Sequence, residues 1–239
     1  MRTSIIPTDS PQGTNFHLTP GGLFTKHLKP MNPLKLASAG DFTIRPLQAQ
    51  DLDALRRFTD HAIGTGYYSA QEVQDIWQRS QTAKGEVLTL VLENPQGLCG
   101  VRITYPPGRW KKGKGRGLTI EKWPHALSQT AYFQSLFVAP QLTGQGWGRK
   151  LSLAALKLLV EIGAEGVVCH SWKESPHDSS GKYLRGLGFQ LIQTHPLYWK
   201  EVDYQCTRCG KPCLCTAEEM YLDLADGSKN QNEQMKGIS

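Results

Sequence analysis

Two kinds of hydrophobic pattern meet in the middle of this chain. Residues 131–138, AYFQSLFV, are apolar and aromatic and predict a buried strand. In residues 151–163, LSLAALKLLVEIG, the leucines recur at helical spacing and leave Lys157 and Glu161 on a solvated side. Residues 138–151, VAPQLTGQGWGRKL, therefore span the point where a strand ends and a helix begins.

The same patterns predict further helices and strands around this junction. A helix begins near Asp51, and the capping-box pair Ser69 and Glu72 opens a second helix that continues through Arg79. The other predicted strands are residues 42–47, 86–93, 98–105 and 167–172, with the last two strands in residues 191–205. The turn-forming sequence NPQG joins the second and third of these strands into a hairpin.

Three glycines, Gly144, Gly146 and Gly148, occupy the turn from strand to helix. Glycine lets a backbone approach a ligand closely, and a helix N-terminus offers unpaired N–H groups and partial positive charge. Such a turn suits a phosphate or pyrophosphate. The patterns GxxxxGK[ST] and GxGxxG are both absent, and a purely structural glycine turn remains an alternative.

The junction resembles motif A of the GNAT superfamily of acyl-CoA-dependent N-acetyltransferases. The resemblance rests on VAP at 138–140, TGQGWG at 143–148 and Leu151. In that family, Gln or Arg, two residues, Gly, one residue, then Gly or Ala wraps the CoA pyrophosphate. Gln141 or Thr143 can occupy the first position, and the spacing to Leu151 favours Thr143. The order of predicted elements extends the resemblance over residues 42–204.

The resemblance implies a GNAT fold of the α/β (α+β) class: a mixed, mostly antiparallel central sheet flanked by helices. The cysteines near the C-terminus add a small C-terminal zinc-binding extension to this prediction. The resemblance also implies acetyl transfer from acetyl-CoA, as cosubstrate, to a primary amine of an unknown small molecule or protein. The amide of Val138 is expected to polarise the thioester carbonyl. The implied CoA-binding residues are Leu136, Phe137, Val138, Thr143, Gly144, Gln145, Gly146, Trp147, Gly148, Arg149 and Lys150.

The catalytic residues are less clearly marked. Glu174 and His170, near the end of the fifth predicted strand, are the candidate bases. Many relatives carry a tyrosine four residues before the glycine of a Gly-Phe pair, where it protonates the leaving thiolate. Leu184 occupies that position here, and Tyr183 lies one residue earlier, so Tyr183 is either the general acid or a core residue. A catalytically weak GNAT-fold binding module is the alternative to an enzyme.

A cysteine cluster follows the predicted sheet. Four of the six cysteines, Cys206, Cys209, Cys213 and Cys215, fall in CTRCGKPCLC. The CxxCG bend directs two thiolates at one ion, and four thiolates suit tetrahedral structural Zn²⁺. No secretory signal is recognisable, which predicts a cytoplasmic location and reduced thiols; disulfides and an iron–sulfur cluster stay open. Four sulfur ligands leave no open position for catalysis.

Charge adds one further candidate surface. The net charge is +6, and residues 109–116 hold Arg109, Lys111, Lys112, Lys114 and Arg116 without an acidic residue. The glycines between them predict a mobile loop that contacts an anionic partner such as nucleic acid or an acidic protein face, or else a solvated loop. Trp110 is a candidate for stacking on a base. No apolar run is long enough to span a membrane.

The predicted organisation has four parts. They are an irregular, disordered arm at 1–40, an acetyltransferase domain at 41–204 with a basic insertion at 106–128, a four-cysteine extension at 205–225, and a polar, disordered tail at 226–239.

Overall fold

The computed structural model describes residues 37–110, 118–202 and 204–225, with side chains from residue 40 onwards. The strands are β1 Ala37–Ala39, β2 Phe42–Pro46, β3 Leu90–Asn94, β4 Gly97–Tyr105, β5 Thr130–Val138, β6 Gly166–Trp172, β7 Gln190–His195 and β8 Ala217–Asp223. The helices are α1 Leu52–Ala62, α2 Ala70–Arg79, α3 Trp147–Glu161 and α4 Ser179–Arg185. The fold class predicted from the sequence is confirmed.

All eight strands lie in one sheet, in the order β1-β2-β3-β4-β5-β6-β8-β7, and only β5 and β6 are parallel. These two strands pair from Thr130 opposite Gly166 to Phe133 opposite Cys169, although both continue further. A register shift in the pairing of β4 with β5 falls just after Phe133 and leaves Gln134 as a bulge. Because a bulge bends its strand, β5 turns away from β6 here. A gap therefore opens between the two strands beyond Phe133.

The helices cover opposite faces of the sheet. Leu151 of α3 lies against Gly100 of β4, where an added Cβ would be 3.3 Å from its Cδ1. On the other face the Arg79 guanidinium of α2 lies 4.3 Å from the centre of the Tyr105 ring. Gly100 and Tyr105 point to different faces because side chains alternate along a strand. The gap between β5 and β6 is thus bordered by α3 on one face.

The two predicted helix starts are formed differently. Ser69 and Glu72 make the predicted capping box, with the Glu72 amide donating to Ser69 Oγ at 3.2 Å and the Ser69 amide donating to Glu72 Oε2 at 2.8 Å. Asp51 precedes α1 but does not cap it with its side chain. Its carboxylate instead forms a buried ion pair with Arg45, at 2.6 Å. The same carboxylate accepts from the Gln48 amide at 2.8 Å, so Asp51 caps the turn before α1 rather than α1 itself.

The prediction that the last two strands lie in residues 191–205 is wrong for the second of them. The strand β8 follows the cysteines and runs between β6 and β7, antiparallel to both. Residues 205–225 therefore include an interior strand of the sheet, next to the edge strand β7, and the cysteine segment is an insertion between β7 and β8. The segment AEEMYLD forms β8 although it carries two glutamates, Glu218 and Glu219, and both are buried. In addition, residues 37–39 of the predicted irregular arm form β1.

We expect Gly166→Ala to lower the free energy of unfolding by about 2 kcal/mol, measured by urea denaturation. Tyr221 of β8 lies directly over Gly166, and its hydroxyl is 3.1 Å from Thr130 Oγ1, so an added Cβ would overlap the tyrosine ring. Tyr221→Leu in the same chain should relieve part of that overlap, making the double variant less destabilised than the sum of the single ones. Strict additivity would contradict this account.

Candidate active site

The start of α3 is built by glycines. Gly144 and Gly146 have φ angles of 79° and 81°, and an added Cβ at either would meet open space. Gly146 caps α3 without a side-chain hydrogen bond. The amides of the first helical turn have no acceptor within the helix. The loop therefore presents backbone N–H groups at an open surface beside the end of β5.

Gly148 has a different structural role from Gly144 and Gly146. It lies inside the first turn of α3, and an added Cβ would be 3.2 Å from Leu136 Cδ2. The missing side chain lets α3 pack closely on β5. The predicted CoA residue Leu136 thus lies on the α3 side of the gap, while Phe137 points to the other face and contacts Tyr67, with ring centres 5.6 Å apart.

The side chains around the helix start are divided between core and surface. Trp147 is buried and packs on Phe42, with ring centres 4.8 Å apart, so only its backbone faces the loop. Lys150 Nζ lies 4.3 Å from the centre of the Trp147 ring. Arg149 Nη1 donates to the Gly186 carbonyl at 2.9 Å, while Thr143 and Gln145 are exposed. Two cations therefore stand beside the glycine loop.

Beyond the last pair with β6, one edge of β5 has no strand partner within the described residues. Residues 136–138 lie along this edge, directly before the glycine loop. Backbone N–H groups on an unpaired edge can polarise a carbonyl that enters the gap. The unpaired end of β5 therefore leads along the chain into the glycine loop.

His170 is the first residue of β6 past the last pair with β5. Its ring stacks on Tyr198, with centres 4.4 Å apart, and its Nδ1 is 3.1 Å from the Tyr132 hydroxyl. Its Nε2 is buried and has no partner within the described residues. Burial lowers the pKa of His170 to about 4, so the ring is neutral near pH 7.

A buried carboxylate, missed in the sequence, lies beside His170. Glu219 of β8 is 0% exposed and accepts hydrogen bonds from His195 Nε2 at 2.7 Å, Trp123 Nε1 at 2.7 Å and the Thr119 hydroxyl at 2.7 Å. Burial raises the pKa of Glu219, but these hydrogen bonds, led by the one from His195, bring that pKa below its ordinary value. The only signal in the sequence was a glutamate within an apolar strand-like run.

The three predicted catalytic residues have separate partners. The Glu174 carboxylate accepts from the Thr216 amide, at 3.1 and 3.0 Å, and so anchors the segment after the cysteines. The Tyr183 hydroxyl lies 2.9 Å from the Gly148 carbonyl oxygen and 2.7 Å from Ser152 Oγ, which joins α4 to the first turn of α3. Of the three, His170 lies where β5 and β6 separate.

The four cysteines of the cluster converge on one point. Their Sγ atoms all lie within 4.8 Å of one another. Adjacent sulfurs are 3.7 to 3.8 Å apart, and all four cysteines are free thiols. A tetrahedral ion with Zn–S bonds of about 2.3 Å needs sulfur–sulfur edges of about 3.8 Å. An iron–sulfur cluster would place several atoms between the thiolates and hold them further apart, so the geometry fits a single ion.

The cysteine segment is tied to the candidate site. The cluster packs against Trp172, Trp199 and Tyr204. The Tyr198 amide donates to the Cys215 carbonyl at 3.1 Å, and Tyr198 is the residue that stacks on His170. The position of the Tyr198 ring therefore depends on the cysteine segment.

The described residues at both ends of the basic insertion, 106–128, form hydrogen bonds with the strands of the sheet. Trp110 Nε1 donates to the Thr130 carbonyl at 2.9 Å, and its ring stacks on Tyr132 with centres 4.9 Å apart. Trp110 therefore packs within the protein rather than standing free to stack on a base. The residues Lys111, Lys112, Lys114 and Arg116 lie outside the described residues. Beyond them, Thr119 and Trp123 bind Glu219 of β8.

Solved structures share this fold. The ribosomal-protein-S18-alanine N-acetyltransferase from Escherichia coli matches with a TM-score of 0.55 and 17% identity, over 79% of this chain and 97% of its own. An N-acetyltransferase from Staphylococcus aureus Mu50 matches with a TM-score of 0.55 and 18% identity, over 77% and 98%. The protein yncA from Salmonella typhimurium, solved with its cofactor acetyl-CoA, matches with 0.55 and 19%, over 77% and 94%. The chain therefore has the GNAT fold.

No protein-family model matches this chain, and no curated protein sequence does. Among the described residues, no helix has the length and apolar character needed to cross a membrane.

Glu219→Gln is expected to lower the free energy of unfolding by about 2 kcal/mol at pH 7, because the charged acceptor binds its buried donors more strongly. The pKa of Glu219 is lowered by folding, so this advantage is present above its ordinary value of 4.5 and is lost as the pH falls below it. Urea denaturation from pH 8 to pH 3 should show the two proteins converging at acid pH. A difference independent of pH would contradict an ionised Glu219.

Proposed function

We propose that this protein transfers the acetyl group of acetyl-CoA to a primary amine. The observation that carries the proposal is the unpaired end of β5 at the gap with β6, which leads along the chain into the glycine loop at the start of α3. The loop offers backbone N–H groups to a pyrophosphate, and the gap offers an unpaired strand edge to a pantetheine arm and its thioester. The acetyl-CoA cofactor of the structurally similar yncA supports the same ligand.

The CoA-binding residues divide by the part of the ligand that they would hold. The amides of Gly144 and of residues 146–148 would bind the pyrophosphate, since the Gln145 amide already donates to the Leu142 carbonyl at 3.3 Å. The side chains of Arg149 and Lys150 would add positive charge. The strand edge at Leu136, Phe137 and Val138 would bind the pantetheine arm, and the Val138 amide would polarise the thioester carbonyl. The exposed Thr143 and Gln145 would border the diphosphate.

The chemistry requires a neutral amine and a protonated leaving sulfur. Tyr183 is the proposed acid because it lies beside Gly148 at the start of α3, and burial raises its pKa, which keeps the phenol protonated near pH 7. His170 would contact the incoming amine where β5 and β6 separate. Glu174 is the weaker catalytic candidate, because its carboxylate is already engaged with the Thr216 amide.

Gly146→Val should weaken acetyl-CoA binding at least about tenfold, because the added side chain stands where the pyrophosphate would approach and removes about 1.4 kcal/mol or more. Valine at φ 81° is also strained, so the matched control is Gly85→Val, at φ 85° in the turn before β3. Both variants should lose similar stability, while Gly85→Val keeps its affinity in isothermal titration. Equal affinities for the two variants would refute the assignment of the loop.

A catalytically weak binding module is the second candidate. The run of positive charge in residues 109–116 favours it, because such a run attracts an anionic partner. Arg109 Nη2 already donates to the Gln78 carbonyl at 3.0 Å, so the contact would fall mainly on the lysines that follow. Acetyl-CoA bound without any release of CoA across a panel of primary amines would support the module over the enzyme.

We also propose that Cys206, Cys209, Cys213 and Cys215 hold one structural Zn²⁺. The four sulfurs would complete its coordination and leave no position for a substrate. The ion would hold together a segment that lies between two neighbouring strands, β7 and β8, so it would support the sheet itself.

Cys209→Ser should reduce zinc from about one per chain towards zero and lower the melting temperature by several degrees, since coordination energy is also folding energy. Elemental analysis and calorimetry on protein purified without added metal provide the measurements. Cys99→Ser, which removes a buried thiol outside the cluster, should leave the zinc content unchanged. Iron with visible absorbance would indicate a cluster instead, and wild-type protein without metal would refute the site.

A further inference from the structure

His195 and Glu219 form a hydrogen-bonded pair that has no role in the acetyl transfer as proposed above. Glu219 accepts the Nε2 proton of His195 at 2.7 Å, and the Glu219 side chain is 0% exposed. The bond holds the proton of a neutral imidazole on Nε2 and leaves the lone pair on Nδ1. His195 Nδ1 has no hydrogen-bond partner within the described residues, and the side chain remains 17% exposed. The Nε2 contact with Glu219 thus fixes the orientation of the His195 ring, and Nδ1 remains available to accept a proton.

The pair lies next to the gap. Glu219 is directly opposite His170 in the pairing of β6 with β8, and His170 is the first residue of β6 beyond β5. The rings of His170 and His195 are 6.0 Å apart, and Tyr198 lies 6.1 Å from His195. Three rings from β6, β7 and the following loop therefore meet on the face opposite α3.

The structure supplies unusual support for this carboxylate. Besides His195, its donors are Thr119 and Trp123, which come from the insertion about one hundred residues earlier in the chain. A buried charge is costly unless its oxygens are satisfied by hydrogen bonds. These donors keep Glu219 ionised behind the imidazole, as a carboxylate that stabilises positive charge on the ring.

Resting on the proposed acetyl transfer, we infer that His195 is the general base for the acceptor amine and that Glu219 is its positioning residue. In the step, the amine nitrogen bonds to the acetyl carbon while the C–S bond breaks. The sulfur leaves with the electron pair and takes up the proton of the Tyr183 hydroxyl. His195 Nδ1 receives one proton from the nitrogen and passes it to water, and water returns one proton to Tyr183, so charge and atoms balance.

His170 is a less suitable base at this position. Burial lowers its pKa to about 4, and its Nδ1 is occupied by the Tyr132 hydroxyl. The groups that face His195 are His170 from β6, Glu219 from β8 and Tyr198 from the loop, and Tyr132 from β5 is one contact further away. Among them Glu219 is the group that binds His195 directly, at Nε2.

The test compares His195→Gln with wild type, using acetyl-CoA, a panel of primary amines, and mass-spectrometric detection of CoA and acetylated product. We expect His195→Gln to lower kcat/KM by about 100-fold or more while the affinity for acetyl-CoA, measured by titration, is unchanged. A second variant, His195→Gly, should recover activity when imidazole is added, which a structural role would not produce. Glu219→Gln should lower kcat with little change in KM for acetyl-CoA, and imidazole should not restore it.

The matched control is His125→Gln. His125 also binds a carboxylate of β8, Asp223 at 2.9 Å, but its second nitrogen is occupied by Glu165 at 3.1 Å. This variant should lose stability and keep kcat/KM. Equal loss of activity in the His125 and His195 variants, or no loss in the latter, would overturn the assignment. Failure of the wild-type protein to bind acetyl-CoA would overturn the proposed function as well.

Discussion

The short parallel pairing of β5 with β6 is the constraint on which the candidate site depends. The strands hold together from Thr130 to Phe133 and separate where Gln134 forms a bulge. Without that separation, β6 would pair with the whole edge of β5. No unpaired backbone N–H groups would then be left beside the glycine loop. The pairing begins at Gly166, where Tyr221 lies over the missing side chain and binds Thr130. Three strands thus meet at the end of the pairing that lies away from the gap.

One side of the gap is formed by a single continuous segment of the chain, and the other side by several segments that are distant in sequence. The proposed donor side is continuous in the chain: residues 130–161 supply the strand edge, the glycine loop and the helix. The proposed acceptor side is assembled from β6, β7, β8, the insertion and the cysteine segment. Its central carboxylate, Glu219, binds Thr119 and His195, which lie 100 and 24 positions away in the chain. A change in one of these remote segments would alter the acceptor side while leaving the donor side intact.

This division explains what the sequence could predict. The capping box at Ser69 and the hairpin of β3 and β4 follow local rules, and both appear in the structure. The fold class followed from the resemblance of the glycine turn to the GNAT motif, which the order of such elements extended. The strand β8 could not be predicted in this way, because the burial of Glu219 depends on hydrogen-bond donors that lie far away in the sequence. The packing of Trp110 also depends on a contact that is distant in sequence. Its basic, glycine-rich surroundings predict an exposed side chain, yet its ring stacks on Tyr132.

The cysteine segment has a larger effect in this sheet than an appended module would have. It connects β7 to β8, and β8 lies between β6 and β7, so the segment must bring the chain back into the interior of the sheet. Coordination at Cys206 and Cys215 would shorten the connection that the unfolded chain has to close. The Cys215 carbonyl also holds the Tyr198 amide, and Tyr198 stacks on His170. An ion bound outside the gap would therefore stabilise the sheet and set the shape of the acceptor side.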